Sequence, residues 1–174
     1  MLSDLILTII SDDKPGVIEA VANTVSDHDG NWLESRLTQL SGKFAGVVRI
    51  QVDDDKKQAL GTALRELRSQ GINIILEGST DKPESSPGIE AGFHAVGPDR
   101  PGIVRELTHT FAEYKINVNE LNTQYSSMPY SGEPLFEAEG KLLVPDGVQV
   151  HDIQEKLEEI ANVLAIDISL EVLS

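Results

Sequence analysis

Residues 13–18 read Asp-Lys-Pro-Gly-Val-Ile, and residues 99–104 read Asp-Arg-Pro-Gly-Ile-Val, an offset of 99 − 13 = 86 residues. Further along, Asn31 recurs as Asn117 and Glu34 recurs as Glu120 at the same offset. Such identities in one register, in a chain of 174 residues, indicate two copies of one unit. The fold is therefore expected to be a tandem repeat.

Each copy shows the same order of secondary structure. A short, β-branched apolar run opens it, at residues 5–10 or 91–96, which predicts a buried strand. An amphipathic helix follows the Asp-x-Pro-Gly turn, and Pro15 and Pro101 are predicted to lie in its first turn, where a missing N–H costs no hydrogen bond. Two extended segments, a second amphipathic helix and a closing strand complete the copy.

This order predicts the fold class. Strand, helix, strand, strand, helix, strand is the split-βαβ or ferredoxin-like arrangement, a four-stranded antiparallel sheet with both helices on one face. The chain is therefore expected to be α+β, with two tandem βαββαβ modules at residues 1–78 and 90–174. Residues 79–89, which contain Ser, Pro and Gly, are the expected linker. Residues 126–134 form an extra loop in the second copy.

Composition excludes several functions. The 14 basic and 29 acidic residues give a net charge of −15, which opposes the counterion release that drives DNA binding, so direct nucleic-acid binding is not expected. The absence of cysteine excludes disulfides, thiolate metal sites and thiol nucleophiles. No apolar run reaches the ~20 residues of a membrane span, and the first residues lack the basic region of a secretion signal. A cytoplasmic protein without membrane contact is expected.

The chain also lacks the usual signs of catalysis. The four histidines never occur three or four residues apart, so no pair shares a helix face for a metal ion. There is no nucleophile elbow, phosphate-binding loop or dinucleotide-binding glycine motif. The sequence therefore predicts no enzyme, no metal site and no cofactor.

The repeated turn is the candidate binding site. It joins a strand to a helix N-terminus, where free N–H groups attract a carboxylate or a phosphate, and glycine lets a ligand or a neighbouring backbone come close. The asparagine that opens the next strand is expected at the same end of the module and offers both a donor and an acceptor. Alternatively, Pro and Gly only form the turn and Asn only ends the helix. The candidate residues are Asp13, Pro15, Gly16 and Asn31, and Asp99, Pro101, Gly102 and Asn117.

At these residues the sequence resembles the ACT domain, a small-molecule-binding regulatory module, in two tandem copies that cover nearly the whole chain. ACT modules typically adopt the βαββαβ fold, pair with other ACT modules and bind amino acids at the pair interface. They use the first strand–helix loop and the start of the second strand. The resemblance thus implies a ligand at the eight candidate residues and a homo-oligomer.

Among tandem ACT proteins without a catalytic domain, the chain most resembles the glycine cleavage system transcriptional repressors. That family implies a regulator that responds to glycine, or next to serine, and acts on a DNA-binding activator of the LysR type. Two alternatives stay open. The chain could be a stand-alone amino-acid sensor that regulates a metabolic enzyme, or the detached regulatory part of an enzyme such as a formyltetrahydrofolate deformylase or a uridylyltransferase.

Overall fold

The chain divides into two compact units. The computed structural model describes residues 1–80 and 87–173. The units are Met1–Pro83 and Glu84–Ser174. Residues 81–86, most of the expected linker, lie outside the described residues. None of the helices within the described ranges is long and apolar enough to cross a membrane.

The first unit is one βαββαβ module. Its sheet is antiparallel, with the strand order β2-β3-β1-β4. The elements are β1 (Leu2–Asp12), α1 (Val17–Asp27), β2 (Asn31–Leu40), β3 (Lys43–Asp53), α2 (Lys57–Glu66), a 3-10 turn (Leu67–Gln70) and β4 (Asn73–Gly78).

The second unit repeats this topology, with the strand order β6-β7-β5-β8. The elements are β5 (Gly88–Pro98), α3 (Ile103–Glu113), β6 (Asn117–Ser127), β7 (Pro134–Pro145), α4 (Val150–Leu164) and β8 (Asp167–Val172). The predicted α+β fold with two tandem βαββαβ modules is confirmed. Strand β5 begins at Gly88, so the last two residues of the segment expected as linker, 79–89, belong to the sheet.

Each module has its own core between the sheet and its two helices. Alternate residues of the central strands point towards the helices, as the period of a half-buried strand requires. In the first module the buried apolar side chains are Leu5, Leu7, Ile9, Val17, Val21, Val25, Val48, Ile50, Val52, Leu60, Leu64, Leu67 and Ile72. In the second module Phe111 of α3 is 1% exposed, and its ring centroid lies 5.1 Å from that of Phe93 on β5.

The start of the first helix of each module differs from the expectation. Helices α1 and α3 begin after Gly16 and Gly102, which are the N-cap residues and have φ of 91° and 96°. Pro15 and Pro101 precede these glycines, so the prediction that they lie in the first helical turn is wrong. The reason is the left-handed backbone of the glycine, which turns the chain into the helix and separates the proline from it.

Candidate functional site

Each Asp-x-Pro-Gly motif presents an open helix N-terminus. No side chain caps α1 or α3, and the first backbone bonds run from Ala20 N–H to Gly16 O at 2.9 Å and from Glu106 N–H to Gly102 O at 3.0 Å. The N–H groups of residues 17–19 and 103–105 therefore have no carbonyl partner inside the helix. A Cβ added at Gly16 or Gly102 would meet nothing within 4 Å. An anion can approach both ends without a steric barrier.

The motif aspartates are anchored through their backbone. Asp13 N–H donates to Gly42 O at 2.9 Å, and Asp99 N–H donates to Pro134 O at 2.9 Å. Gly42 lies in the hairpin turn between β2 and β3, whereas Pro134 is the first residue of β7. The extra loop expected at residues 126–134 is shorter than predicted, because Ser126 and Ser127 belong to β6 and Pro134 belongs to β7. The extra loop thus ends next to the second motif, and its Tyr130 side chain is fully exposed.

The variable residue of each motif contacts the end of the second helix in its own module. Lys14 Nζ donates to Gln70 O at 2.5 Å, and Arg100 Nη1 donates to Val163 O at 3.4 Å and to Leu164 O at 3.3 Å. Sequence reasoning passed over residues 14 and 100. A signal was present, because both are basic in a chain with 14 basic and 29 acidic residues.

An ionised aspartate lies next to the first motif. Beside the first motif, Asp12 forms an ion pair with Lys43, and the hydrogen bond and positive charge of Lys43 hold the pKa of the Asp12 carboxyl below its usual range. The pKa of Asp12 is therefore lower in the folded protein than in the unfolded chain. At pH values above the unfolded pKa, the Asp12–Lys43 pair stabilises the module, and this contribution is lost as the pH falls through the folded pKa. Asp12 therefore stays ionised at neutral pH next to the first motif.

The groove at the second motif is larger and more basic than that at the first. It has a volume of about 430 Å³ and is lined by Gly102, by the basic residues Arg100, Arg105 and Lys156, and by the acidic residues Glu106 and Glu159. Arg105 pairs with Glu106 and Lys156 pairs with Glu159, so the groove has one basic residue more than it has acidic ones. The groove at the first motif has a volume of about 240 Å³, with Lys14 as its one basic residue and with Asp13 and Glu19 as acidic ones. A carboxylate ligand therefore finds more favourable charge at the second motif.

The asparagines lie at the other end of each module. Asn31 pairs with Gln51, which pairs with Asp4 near the start of β1, whereas the motif follows the end of β1 at Asp12. These eight residues of strand span ~26 Å. Asn117 is placed in the same way, at the level of Glu90 on β5. The expectation that motif and asparagine share one end is wrong, because the intervening helix runs antiparallel to the first strand.

The acidic and histidine side chains of the described residues form no candidate metal centre. Within residues 1–80 and 87–173, no group of three or more His, Cys, Asp or Glu side chains is placed to hold a metal ion. Of the eight candidate residues, the fold brings together the Asp, Pro and Gly of each motif and separates them from the Asn of the same module.

Comparison with known proteins adds a family and two similar structures. Residues 3–75 match the family model of the ACT domain. The crystal structure of an unknown protein from Galdieria sulphuraria aligns over 100% of both chains, with a TM-score of 0.85 and 22% identity. That of a candidate glycine cleavage system transcriptional repressor covers 100% of this chain and 99% of its own, with a TM-score of 0.73 and 19% identity. No curated protein sequence matches. At these sequence identities, the two similarities show that both proteins have the same fold as this chain.

Proposed function

We propose that the protein is a non-catalytic, amino-acid-responsive regulator, because residues 3–75 match the family model of the ACT domain and the second module repeats the topology of the first. Its ligand is glycine, or next serine, and it controls transcription through a DNA-binding partner of the LysR type. The observation that carries the proposal is the uncapped helix N-terminus at Gly102, open to a ligand and beside a groove whose three basic residues outnumber its two acidic ones.

The position of the asparagines supports a ligand that bridges two modules. One amino acid is far too small to contact Gly102 and the Asn117 of the same module, because eight residues of strand, ~26 Å, separate them. A second copy of the chain can supply the missing asparagine when the two modules run in opposite directions. The carboxylate then lies at the N–H groups of residues 103–105 and the ammonium group at the partner copy's asparagine. This proposal requires a homo-oligomer.

Glycine binding is expected to depend on Asn117. Asn117→Ala removes one or two hydrogen bonds to the ligand, worth roughly 0.5–1.5 kcal/mol each, so the affinity should fall by about two- to twelvefold for each bond lost. Calorimetric titration with glycine, serine and the other standard amino acids measures this. The matched control is Asn122→Ala on the same strand, since Asn122 is exposed and donates to Glu120. Absence of heat with every amino acid would contradict the proposal.

Regulation of transcription is proposed to act through another protein. The net charge of −15 opposes DNA association, and none of the four α-helices contains more than two Lys or Arg residues. Each sheet has open edges, among them β4 and β8, which pair on one side only. Such edges are suitable docking surfaces for a second copy or for a partner.

The purified protein is expected to form no sequence-specific complex with DNA at physiological salt. A gel-shift assay with the upstream region of the glycine cleavage genes measures this, and a specific complex without a partner would contradict the proposal. Pull-down from the native host is expected to recover a LysR-type protein, with a yield that changes when glycine is added, because ligand and partner affinities are reciprocally linked. Recovery of a metabolic enzyme instead would favour the enzyme-regulating alternative.

A further inference from the structure

The basic residue of each motif makes the same unusual contact in both modules. Lys14 in the first module and Arg100 in the second reach across to backbone carbonyls at the C-terminal end of the second helical segment. The contact of Lys14 spans 56 positions in the sequence, and the two contacts of Arg100 span 63 and 64 positions. Recurrence in two modules that otherwise differ around their motifs indicates a shared role.

The contact is electrostatically favourable. The last four carbonyls of a helix have no partner inside it and form the negative end of the helix dipole. The last turn of α4 contains no basic residue of its own, so the guanidinium of Arg100 supplies the missing positive charge. The bonds to Val163 O and Leu164 O use only Nη1 of Arg100, so they hold the guanidinium at the helix end while its positive charge remains beside Gly102.

The motif loop is held against the turn that leads into β8. A Cβ at Gly97 would lie 2.9 Å from the Cα of Ile166, so the chain just before the motif packs directly on that turn. Ala165 in the turn has φ of 55°, a left-handed backbone that is unfavourable for alanine, whereas the first module has Gly71 there, with φ of 78°. A strained turn persists only where its surroundings hold it, and here they include Arg100 and Gly97.

We infer that Lys14 and Arg100 are positioning residues that latch the ligand-binding loop of each module to the C-terminal end of its second helix. Loop and helix end then open and close together, and the edge strands β4 and β8 begin next to this latch. The connection to a ligand rests on the proposed function, whereas the latch itself does not.

Hydrogen–deuterium exchange on the full chain, measured without any ligand, tests the latch. Arg100→Met keeps the side-chain stem and removes the donors. We expect exchange to become at least severalfold faster both at the motif loop, residues 99–106, and at Ile166, whose N–H donates to Ala161 O. Arg100→Lys should restore much of the protection, since Lys14 fulfils the same role in the first module. Faster exchange at the loop alone, or at neither segment, would overturn the inference.

A control and a second measurement separate the latch from general destabilisation and from ligand contact. Lys141→Met, on β7, removes an exposed ammonium group that pairs with Glu120, and exchange at both segments should match the wild type. Exchange in the core strand β5 should be unchanged in all variants. Glycine at a free concentration of 10 times its measured Kd should occupy roughly 91% of the sites. Protection from exchange should then rise at both segments in the wild type. If glycine protects neither segment, the proposed function is contradicted. The comparison of Arg100→Met with the wild type, made without ligand, still tests whether the latch exists.

Discussion

Gly102→Ala is expected to weaken glycine binding by at least about tenfold, whereas Gly147→Ala leaves it unchanged. Both glycines have a left-handed backbone, with φ of 96° and 87°, and at both an added Cβ meets nothing within 4 Å. The strain of alanine there, about 1–2 kcal/mol, is therefore matched. Only Gly102 lies at the helix N-terminus, where the methyl group occupies the space that the ligand carboxylate needs. Calorimetry measures binding, and urea unfolding measures the strain.

Mixing two defective variants tests whether the site is shared between copies. In a dimer of Gly102→Ala with Asn117→Ala chains, one site combines an intact motif from one copy with an intact asparagine from the other. After random subunit exchange, roughly a quarter of all sites should regain wild-type affinity, since half of the dimers are mixed and each has one intact site. No recovery would contradict a shared site. The control is a mixture of Gly147→Ala with Asn117→Ala chains. Every motif in that mixture is intact, so subunit exchange should not change the fraction of sites with wild-type affinity.

The fold could be predicted because the sequence repeats itself and each copy opens with a short apolar run. The offset of 86 residues placed corresponding elements in both halves, and the run at residues 5–10 predicted the first strand. Which residues of that strand are buried, namely Leu5, Leu7 and Ile9, is not visible in a run where only Thr8 is polar. The strand ends were less predictable. Strands β1 and β5 extend beyond the apolar runs 5–10 and 91–96, because ladder hydrogen bonds to β3 and β7 continue past the buried residues.

The candidate site was less predictable than the fold. The recurring motif and asparagine suggest one site per module, whereas the course of the chain places them at opposite ends of the sheet. Helix α1 has 11 residues and runs back ~16 Å along the sheet, which takes Asn31 away from Gly16. The order of elements already implied this separation. By contrast, the contacts of Lys14 and Arg100 join positions more than 50 residues apart, and no local pattern specifies where such a side chain ends.

The division into two separately folding modules, 1–78 and 90–174, is a proposal that a core substitution tests. Phe111→Ala is expected to destabilise the second module by about 3–5 kcal/mol, through lost burial and the cavity left beside Phe93. The first module should be unaffected, because the core position that corresponds to Phe111 is occupied there by Val25, within a separate buried cluster. Val104→Ala, on the same helix but 37% exposed, is the matched control and should cost far less.

The chain carries its own probes for this experiment. Its one tryptophan, Trp32, packs against the first core, while all three tyrosines, Tyr114, Tyr125 and Tyr130, belong to the second module. In urea, the fluorescence of Trp32 should report the same midpoint in Phe111→Ala as in the wild type. The near-ultraviolet circular dichroism of the tyrosines, chiefly of Tyr114 against the second core, should shift to lower urea. Equal shifts of both signals would show that the modules unfold as one cooperative unit, since a cavity in one core would then destabilise both.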